Sequence, residues 1–288
     1  MVDLIRSMRP AQWTKNLIVF AGIIFSGNLF RSDLLFRSAI TFAIFCLLSG
    51  AMYIMNDILD RNQDTHHPLK SKRPISLGIV STTRAKLAIP VLTIVPLILA
   101  WILEPRVAIA AAAYAGMMSA YSLWLKRIPI LDVLIISFGL FLRALSGAFA
   151  VSVEMSVWLF LCTILLALFL ALCKRKHELL TLEDAAGRHR RVLEHYTDKL
   201  LDQMIAIATG STIIAYAIYT ISPETVGKFH TKNLVFTFPI VLFGLFRYLY
   251  LVYRERAGGA PEQLLLNDRQ LIASIVLWAI AVGTIIYV

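Results

Sequence analysis

The sequence predicts an all-α, polytopic integral membrane protein with about nine transmembrane helices, and three observations carry that reading. Of its 288 residues, 58% are hydrophobic and only 16% are charged, whereas soluble domains carry about 45–50% and about 25%. The mean hydropathy is +0.73. The apolar residues fall into runs near the spanning length of about 17–25 residues, and Lys and Arg collect in alternate connecting segments, as cytoplasmic loops do. No internal repeat or low-complexity tract divides the chain, so a single transmembrane domain over residues 1–288 is expected.

The elements follow in chain order. The opening segment MVDLIRSMRPAQWTKN has no small-residue cleavage site of a signal peptide and brings Arg6, Arg9 and Lys15 to the start of the first apolar run, 16–31. The second run, 35–55, is followed by Arg61, Lys70, Lys72, Arg73, Arg84 and Lys86. Runs at 86–103 and 107–125 come next, then Lys126 and Arg127, then runs at 130–151 and 155–173. The segment 174–202 holds Lys174, Arg175, Lys176, Arg188, Arg190, Arg191 and Lys199. Runs at 203–221 and 233–253 precede Arg254, Arg256 and Arg269, and the last run is 270–288. Summed, 21 basic residues lie on the N-terminal side of the membrane and five on the other: Arg31, Arg37, Arg106, Lys228 and Lys232. The positive-inside rule then makes the N-terminus cytoplasmic, in the inner cell membrane.

That rule also accounts for the net charge of +10, which in a soluble protein would suggest nucleic acid. No arginine–aromatic interleaving of the kind that stacks single strands is present, and nucleic acid is excluded as a partner. Cys46, Cys162 and Cys173 sit in apolar runs without metal-ligand spacing and read as small core residues.

The most informative stretch is Asn56-Asp57-Ile58-Leu59-Asp60-Arg61-Asn62-Gln63-Asp64, at the cytoplasmic end of the second run. If the helix continues, Asp57, Asp60 and Asp64 are spaced i, i+3, i+7 and share a face. Three carboxylates so placed repel unless a cation sits among them. Hard oxygen ligands suit Mg2+, which takes a few carboxylates, waters and substrate phosphates. The alternative is a solvated acidic helix end, although acidic residues there oppose the helix dipole. Directly after it comes His66-His67-Pro68-Leu69-Lys70-Ser71-Lys72-Arg73-Pro74. A cationic pole beside a carboxylate–metal pole is what a diphosphate needs, while His66 and His67 read as loop histidines.

Two arginines lie inside spans. Arg143 is about 13 residues past Ile130, roughly 20 Å along the helix, and an ionisable residue at that depth is a functional candidate by default. Gripping a phosphate is its expected role, against a structural pairing with a neighbouring helix. Arg247, nearer the cytoplasmic end, binds substrate or snorkels. Trp13, Tyr53, Tyr121 and Trp124 sit where interfacial aromatic belts form anyway, and of these Tyr121, beside Lys126, is taken as a site residue.

These residues give the chain a resemblance to the UbiA superfamily of intramembrane prenyltransferases. It is carried by Asn56-Asp57-x-x-Asp60-x-x-x-Asp64, by the nine-run layout and by Tyr121-Ser122-x-x-Leu125-Lys126. Within it the chain most resembles the decaprenyl-phosphate phosphoribosyltransferase branch. The shared features are Arg9-Pro10-x-Gln12-Trp13-x-Lys15-Asn16, His67-Pro68-x-Lys70-x-x-Arg73-Pro74, Leu142-Arg143-Ala144-x-Ser146-Gly147-Ala148, Lys174-Arg175-x-x-Glu178-Leu179 and Tyr196-Thr197-x-x-Leu200-Leu201-Asp202-Gln203. Aromatic-acceptor members resemble one another in a second Asp-x-x-x-Asp motif at the end of a later span. Here Lys174-Arg175-Lys176-His177-Glu178 stands in that place, and Asp198 and Asp202 come about 20 residues later.

The resemblance implies a UbiA-like bundle with a cytoplasmic active site that transfers 5-phosphoribosyl from phosphoribosyl diphosphate to a polyprenyl phosphate lipid. Mg2+ on Asp57, Asp60 and Asp64 would neutralise the leaving diphosphate, with Asn56 positioning metal waters or ribose hydroxyls. Lys15, Lys70, Arg73, Lys126, Lys174 and Arg175 would divide the donor and acceptor phosphates, with Tyr121, Arg143, Glu178 and Arg247 beside them. A homo-oligomer is compatible with the sequence. The second enzymatic reading is a Mg2+-dependent aromatic prenyltransferase. A transporter is the reading from another class, disfavoured because the charges cluster at one face rather than near the midplane.

Overall fold

The computed structural model describes residues 2–65, 70–182, 191–254, 264 and 267–287, and these form helices and turns with no strand among them. Among the described residues seven helical segments are long and apolar enough to cross a membrane: Ser32–Leu59 (α3), Thr82–Leu103 (α5), Leu131–Ala150 (α7), Val157–Leu180 within the helix Val157–Leu182 (α8), Asp198–Ile221 (α9), Asn233–Arg254, where a 3-10 turn leads into the helix Phe238–Arg254 (α11), and Arg269–Tyr287 (α12). The other two expected runs take different forms. Pro105–Leu123 (α6) is one continuous helix, diluted by alanine, glycine and serine. Residues 16–31 are broken: a 3-10 segment, Pro10–Phe20, passes into the short Ala21–Ile24 (α2) and then turns. Short α-helices lie at Val2–Ser7 (α1), Arg61–Asp64 (α4) and Pro223–Phe229 (α10).

Caps place several of the helix starts. Ser81, Thr197 and Ser222 each accept a backbone N–H three residues on, opening α5, α9 and α10, the usual way a hydroxyl satisfies an orphan donor. Glu104 links α5 to α6, with Pro105 at the first helical position, where its missing N–H costs nothing. Arg37 donates to the carbonyls of Ala150 (2.6 Å) and Leu103 (2.9 Å), closing the C-termini of α7 and α5 with one guanidinium.

Contacts divide the chain into two compact units, Met1–Glu154 with Gly187–Val192, and Met155–Ala186 with Leu193–Val288. In the first, α3 packs on α5, α6 and the 3-10 segment, and α6 packs on α7. Its core joins Val19, Phe45, Leu48, Met52 and Tyr114 with Ala108, Ala111 and Ala115. The alanines let helix backbones approach closely, the common solution where lipid offers no hydrophobic drive. The 3-10 segment and α2 lie closer still: a Cβ on Gly147 would collide with the Val19 carbonyl oxygen, and one on Gly22 would sit 2.6 Å from the Ala148 nitrogen. In the second unit α8 packs on α9, and α11 on α12.

Outer faces are apolar. On α5, Leu87, Val91, Ile94, Ile98 and Ile102 are all exposed, spaced three or four residues apart, and Ile207, Ile214 and Ile221 repeat every seven on α9. A soluble monomer rarely exposes stripes of that extent. The protein is a multi-span membrane protein.

Candidate active site

The acidic motif sits where α3 ends. Asp60 caps the helix, its N–H bonded to the Asn56 carbonyl at 2.9 Å, and the Asp64 N–H bonds the Asp60 carbonyl at 2.9 Å. The chain therefore keeps a nearly helical path through α4, and side chains seven apart stay aligned. Asp57 and Asp64 do share a face: Arg73 Nη1 bridges them, 3.1 Å from Asp57 Oδ1 and also bonded to Asp64 Oδ2. Arg9 Nη2 makes a second ion pair with Asp57, its guanidinium lying 4.8 Å over the Tyr53 ring. Asp60 turns elsewhere: Lys126 Nζ bonds its carboxylate and the Asn56 Oδ1 at 3.2 Å.

The expected single face is thus two pairs, Asp57 with Asp64 and Asn56 with Asp60. The cations that relieve their repulsion are side chains of the protein. Among the described residues no three His, Cys, Asp or Glu side chains converge as a ready-made metal cage. The donor set still fits a hard cation: three carboxylates and an amide oxygen along two turns at one helix end. Burial pushes the Asp64 carboxyl above its ordinary 3.8, against the pull of Arg73 and Lys70, which places Lys70 within electrostatic reach. Tyr121 is half-buried near the end of α6, one short turn before Lys126.

Arg9 is the residue that sequence reasoning missed. It begins the 3-10 segment with left-handed φ 55° and ψ 68°, and it comes from 48 positions before Asp57. The signal was its place in the Arg9-Pro10-x-Gln12-Trp13-x-Lys15-Asn16 motif. Further along, Lys15 bonds the Gln12 side chain. Asn16 is fully buried and donates to Cys46 Sγ and Ser49 Oγ, each at 3.3 Å.

Asn16 also receives Arg143. The guanidinium donates through Nε to Asn16 Oδ1 (2.7 Å), through Nη1 to the Gly139 carbonyl (2.8 Å) and through Nη2 to Tyr114 Oη (2.7 Å). It lies 4.5 Å over the Tyr114 ring. Each of its three nitrogens is engaged by protein, tying the 3-10 segment to α6 and α7, which is the structural pairing weighed against a phosphate grip. Arg247 is likewise engaged by protein. It holds Asp268 through two bonds, 3.1 and 2.7 Å, while Asp268 accepts the Leu271 N–H at 2.8 Å and so caps α12.

The basic run of the second unit continues α8. Arg175 is buried and pairs with Glu178, and Lys174 is half-buried beside it. Lys176 is buried as well, bonding Asp198 at 2.8 Å and Asp202, with its ammonium 4.6 Å over the Tyr253 ring. Tyr253 Oη donates to Asp202 at 2.7 Å. The later Asp-x-x-x-Asp pair is therefore the partner of Lys176. His66 and His67 lie outside the described residues.

The structure thus places an Asp-x-x-Asp-x-x-x-Asp motif, paired with basic side chains, at the end of a membrane-spanning helix. Residues 17–286 match the UbiA prenyltransferase family, and the chain belongs to that family. It is 30% identical to the decaprenyl-phosphate phosphoribosyltransferase of Mycolicibacterium smegmatis, over 99% of this chain and 92% of that protein. It is 29% identical to the Corynebacterium glutamicum protein of the same name, over 99% and 87%. Among solved structures it resembles a UbiA homolog from Archaeoglobus fulgidus bound to DMAPP and Mg2+, with a TM-score of 0.76 at 16% identity over 99% of each chain. That likeness shows the fold.

Proposed function

We propose that this protein transfers 5-phosphoribosyl from phosphoribosyl diphosphate to a polyprenyl phosphate, releasing diphosphate, on the cytoplasmic side of the inner membrane. The observation that carries the proposal is the full-length similarity to two relatives of that name. The acidic and basic residues of the motif support it, because they suit a substrate pair with three phosphate-bearing groups.

The bond formed joins an acceptor phosphate oxygen to the ribose anomeric carbon, and the bond broken is from that carbon to the diphosphate. The acceptor oxygen is already anionic near neutral pH, so no side chain has to remove a proton. What the site must do is hold two anions together and stabilise the charge that grows on the departing diphosphate. Asp57, Asp60 and Asp64 would hold Mg2+, which supplies charge neutralisation on that leaving group. Asn56 would orient the waters of that ion or a ribose hydroxyl. Lys15, Lys70, Arg73 and Lys126 bind phosphate oxygens, the arginine through two parallel bonds, and Tyr121 lines the approach to Lys126. In the second unit Lys174 and Arg175 bind phosphate, with Glu178 fixing the arginine.

A donor screen on purified protein tests this. Phosphoribosyl diphosphate with polyprenyl phosphate and Mg2+ should yield a phosphoribosyl lipid and free diphosphate, and EDTA should abolish both. Transfer from a polyprenyl diphosphate to an aromatic acceptor, with no phosphoribosyl lipid formed, would establish the prenyltransferase reading instead.

A further inference from the structure

Three carboxylates of the acidic motif are matched by three cations. Arg9 and Arg73 hold Asp57, Arg73 also holds Asp64, and Lys126 holds Asp60. The acids of the first two pairings lie deeper than the bases. The Asp57 and Asp64 side chains are 1% and 5% exposed, while Arg9 is 26% and Arg73 20% exposed. At Lys126 the order is the other way, with the base 15% and Asp60 22% exposed. A ligand arriving from water therefore meets the Arg9 and Arg73 guanidinium groups before it meets Asp57 and Asp64. A bare divalent cation faces like charge at this rim and must break ion pairs that already neutralise the acids. A divalent cation carrying a diphosphate is a net anion. It is drawn to the rim, and its phosphate oxygens accept the bonds that the displaced cations give up.

We infer that Arg9, Arg73 and Lys126 form an exchangeable cationic collar that admits a divalent cation together with a diphosphate and disfavours the cation alone. On binding, the three basic side chains pass from the carboxylates to phosphate oxygens. The inference rests on the transferase reading above. It deepens that reading by assigning Arg9 to substrate binding and by making metal and diphosphate bind as a unit.

The backbone that carries Arg9 supports such an exchange. The 3-10 segment is anchored at Asn16 by Arg143, Cys46 and Ser49, and its Val19 carbonyl lies against Gly147. The Arg9 side chain can therefore change partner while its backbone keeps its place. The Tyr53 ring under the guanidinium supplies a platform that serves either partner equally.

Two equilibrium measurements on the full chain in detergent test the collar. Mn2+ binding without any anion is read by electron paramagnetic resonance. Binding of radiolabelled inorganic diphosphate is read by equilibrium dialysis, in EDTA and in saturating Mg2+. Wild type should bind diphosphate at least about tenfold more tightly with Mg2+ than in EDTA, and should hold Mn2+ alone only weakly. Arg9→Met should move the two readouts in opposite directions, each by about tenfold: Mn2+ alone binds more tightly, and Mg2+-dependent diphosphate binding weakens. Lys126→Met should do the same, and Arg9→Lys should fall between.

An arginine that merely supports the fold gives a different pattern, with both affinities falling together or neither changing, and either result overturns the collar. Wild-type Mn2+ binding that is as tight alone as with diphosphate also overturns it, while leaving the transferase reading intact. If Asp57→Asn keeps full Mg2+-dependent diphosphate binding, the metal assignment fails and the collar falls with it.

Discussion

Two ion-pair clusters, one in each unit, have opposite polarity. Around Asp57 and Asp64 the acids are inside and the bases outside: Asp57 is 1% exposed beneath an Arg9 that is 26% exposed. Around Lys176 and Arg175 the order reverses. Lys176 is 5% exposed under Asp198 and Asp202, at 54% and 39%, and Arg175 is 2% exposed behind a Glu178 at 22%. A buried carboxylate with its counter-ion at the rim is poised to receive a cation once an anion draws the rim away. A buried base with exposed acids has the opposite preference. The difference gives a physical meaning to the place where Lys174-Arg175-Lys176 stands in this chain, while Asp198 and Asp202 serve as partners of Lys176.

The sharpest way to break the comparison is to remove one acid from each unit. Asp57→Asn should lower turnover by orders of magnitude, since a lost metal ligand removes charge stabilisation of about several kcal/mol. Asp198→Asn should leave turnover within about threefold, because exposed pairs contribute little and Lys176 keeps Asp202. Initial rates on monodisperse protein decide it. Equal losses in the two variants would show that the second unit's acids do the same work as the first's.

A smaller effect is expected from the bases of α8. Lys174→Ala with Arg175→Ala should weaken binding of phosphoribosyl diphosphate or of the lipid phosphate by one to two orders of magnitude per residue, since a charge-assisted hydrogen bond contributes roughly 1.5–3 kcal/mol. A drop in Tm will accompany it, because Glu178 loses its buried partner. If Tm falls and both titrations stay unchanged, the basic run is a membrane anchor and no phosphate site.

How far these assignments were legible in the sequence depended on the chemistry of each partner. Asp57, Asp60 and Asp64 stood out because acids are rare at the end of an apolar run, and the period of the helix then aligned Asp57 with Asp64. Arg9 did not stand out. It is one of several N-terminal bases, and what makes it a site residue is a left-handed turn and a distant partner, neither of which has a local signature. Arg143 carries the opposite signal. Its depth points to function, while its partners here are Asn16, Tyr114 and a backbone carbonyl, neutral groups that look ordinary in sequence. The hydropathy of the first apolar run reads as a plain helix. Its 3-10 course is set by the close approach to Gly147, a tertiary constraint that no hydropathy pattern carries.

The smallest expected effect concerns Asp268, and it tests whether Arg247 is a structural clamp rather than a ligand of substrate. The hydrogen bonds from Arg247 hold the Asp268 carboxyl below its ordinary 3.8, and backbone N–H groups at the start of α12 add to that. A carboxyl depressed in the folded protein binds fewer protons there than in the unfolded chain, so its contribution to stability rises with pH through that window. It is fully present above about pH 4, near the ordinary carboxylate value, and is lost as pH falls through the depressed one. Asp268→Asn should therefore lower Tm by a small, constant amount between pH 5 and 8, roughly the range over which ordinary carboxylates stay ionised. The gap to wild type should close as both are titrated below about pH 4. Turnover near neutral pH should hardly change, because the pair serves the junction of α11 and α12. A pH-independent Tm difference would place the effect in lost packing. A large fall in donor affinity with unchanged Tm would return Arg247 to the substrate site.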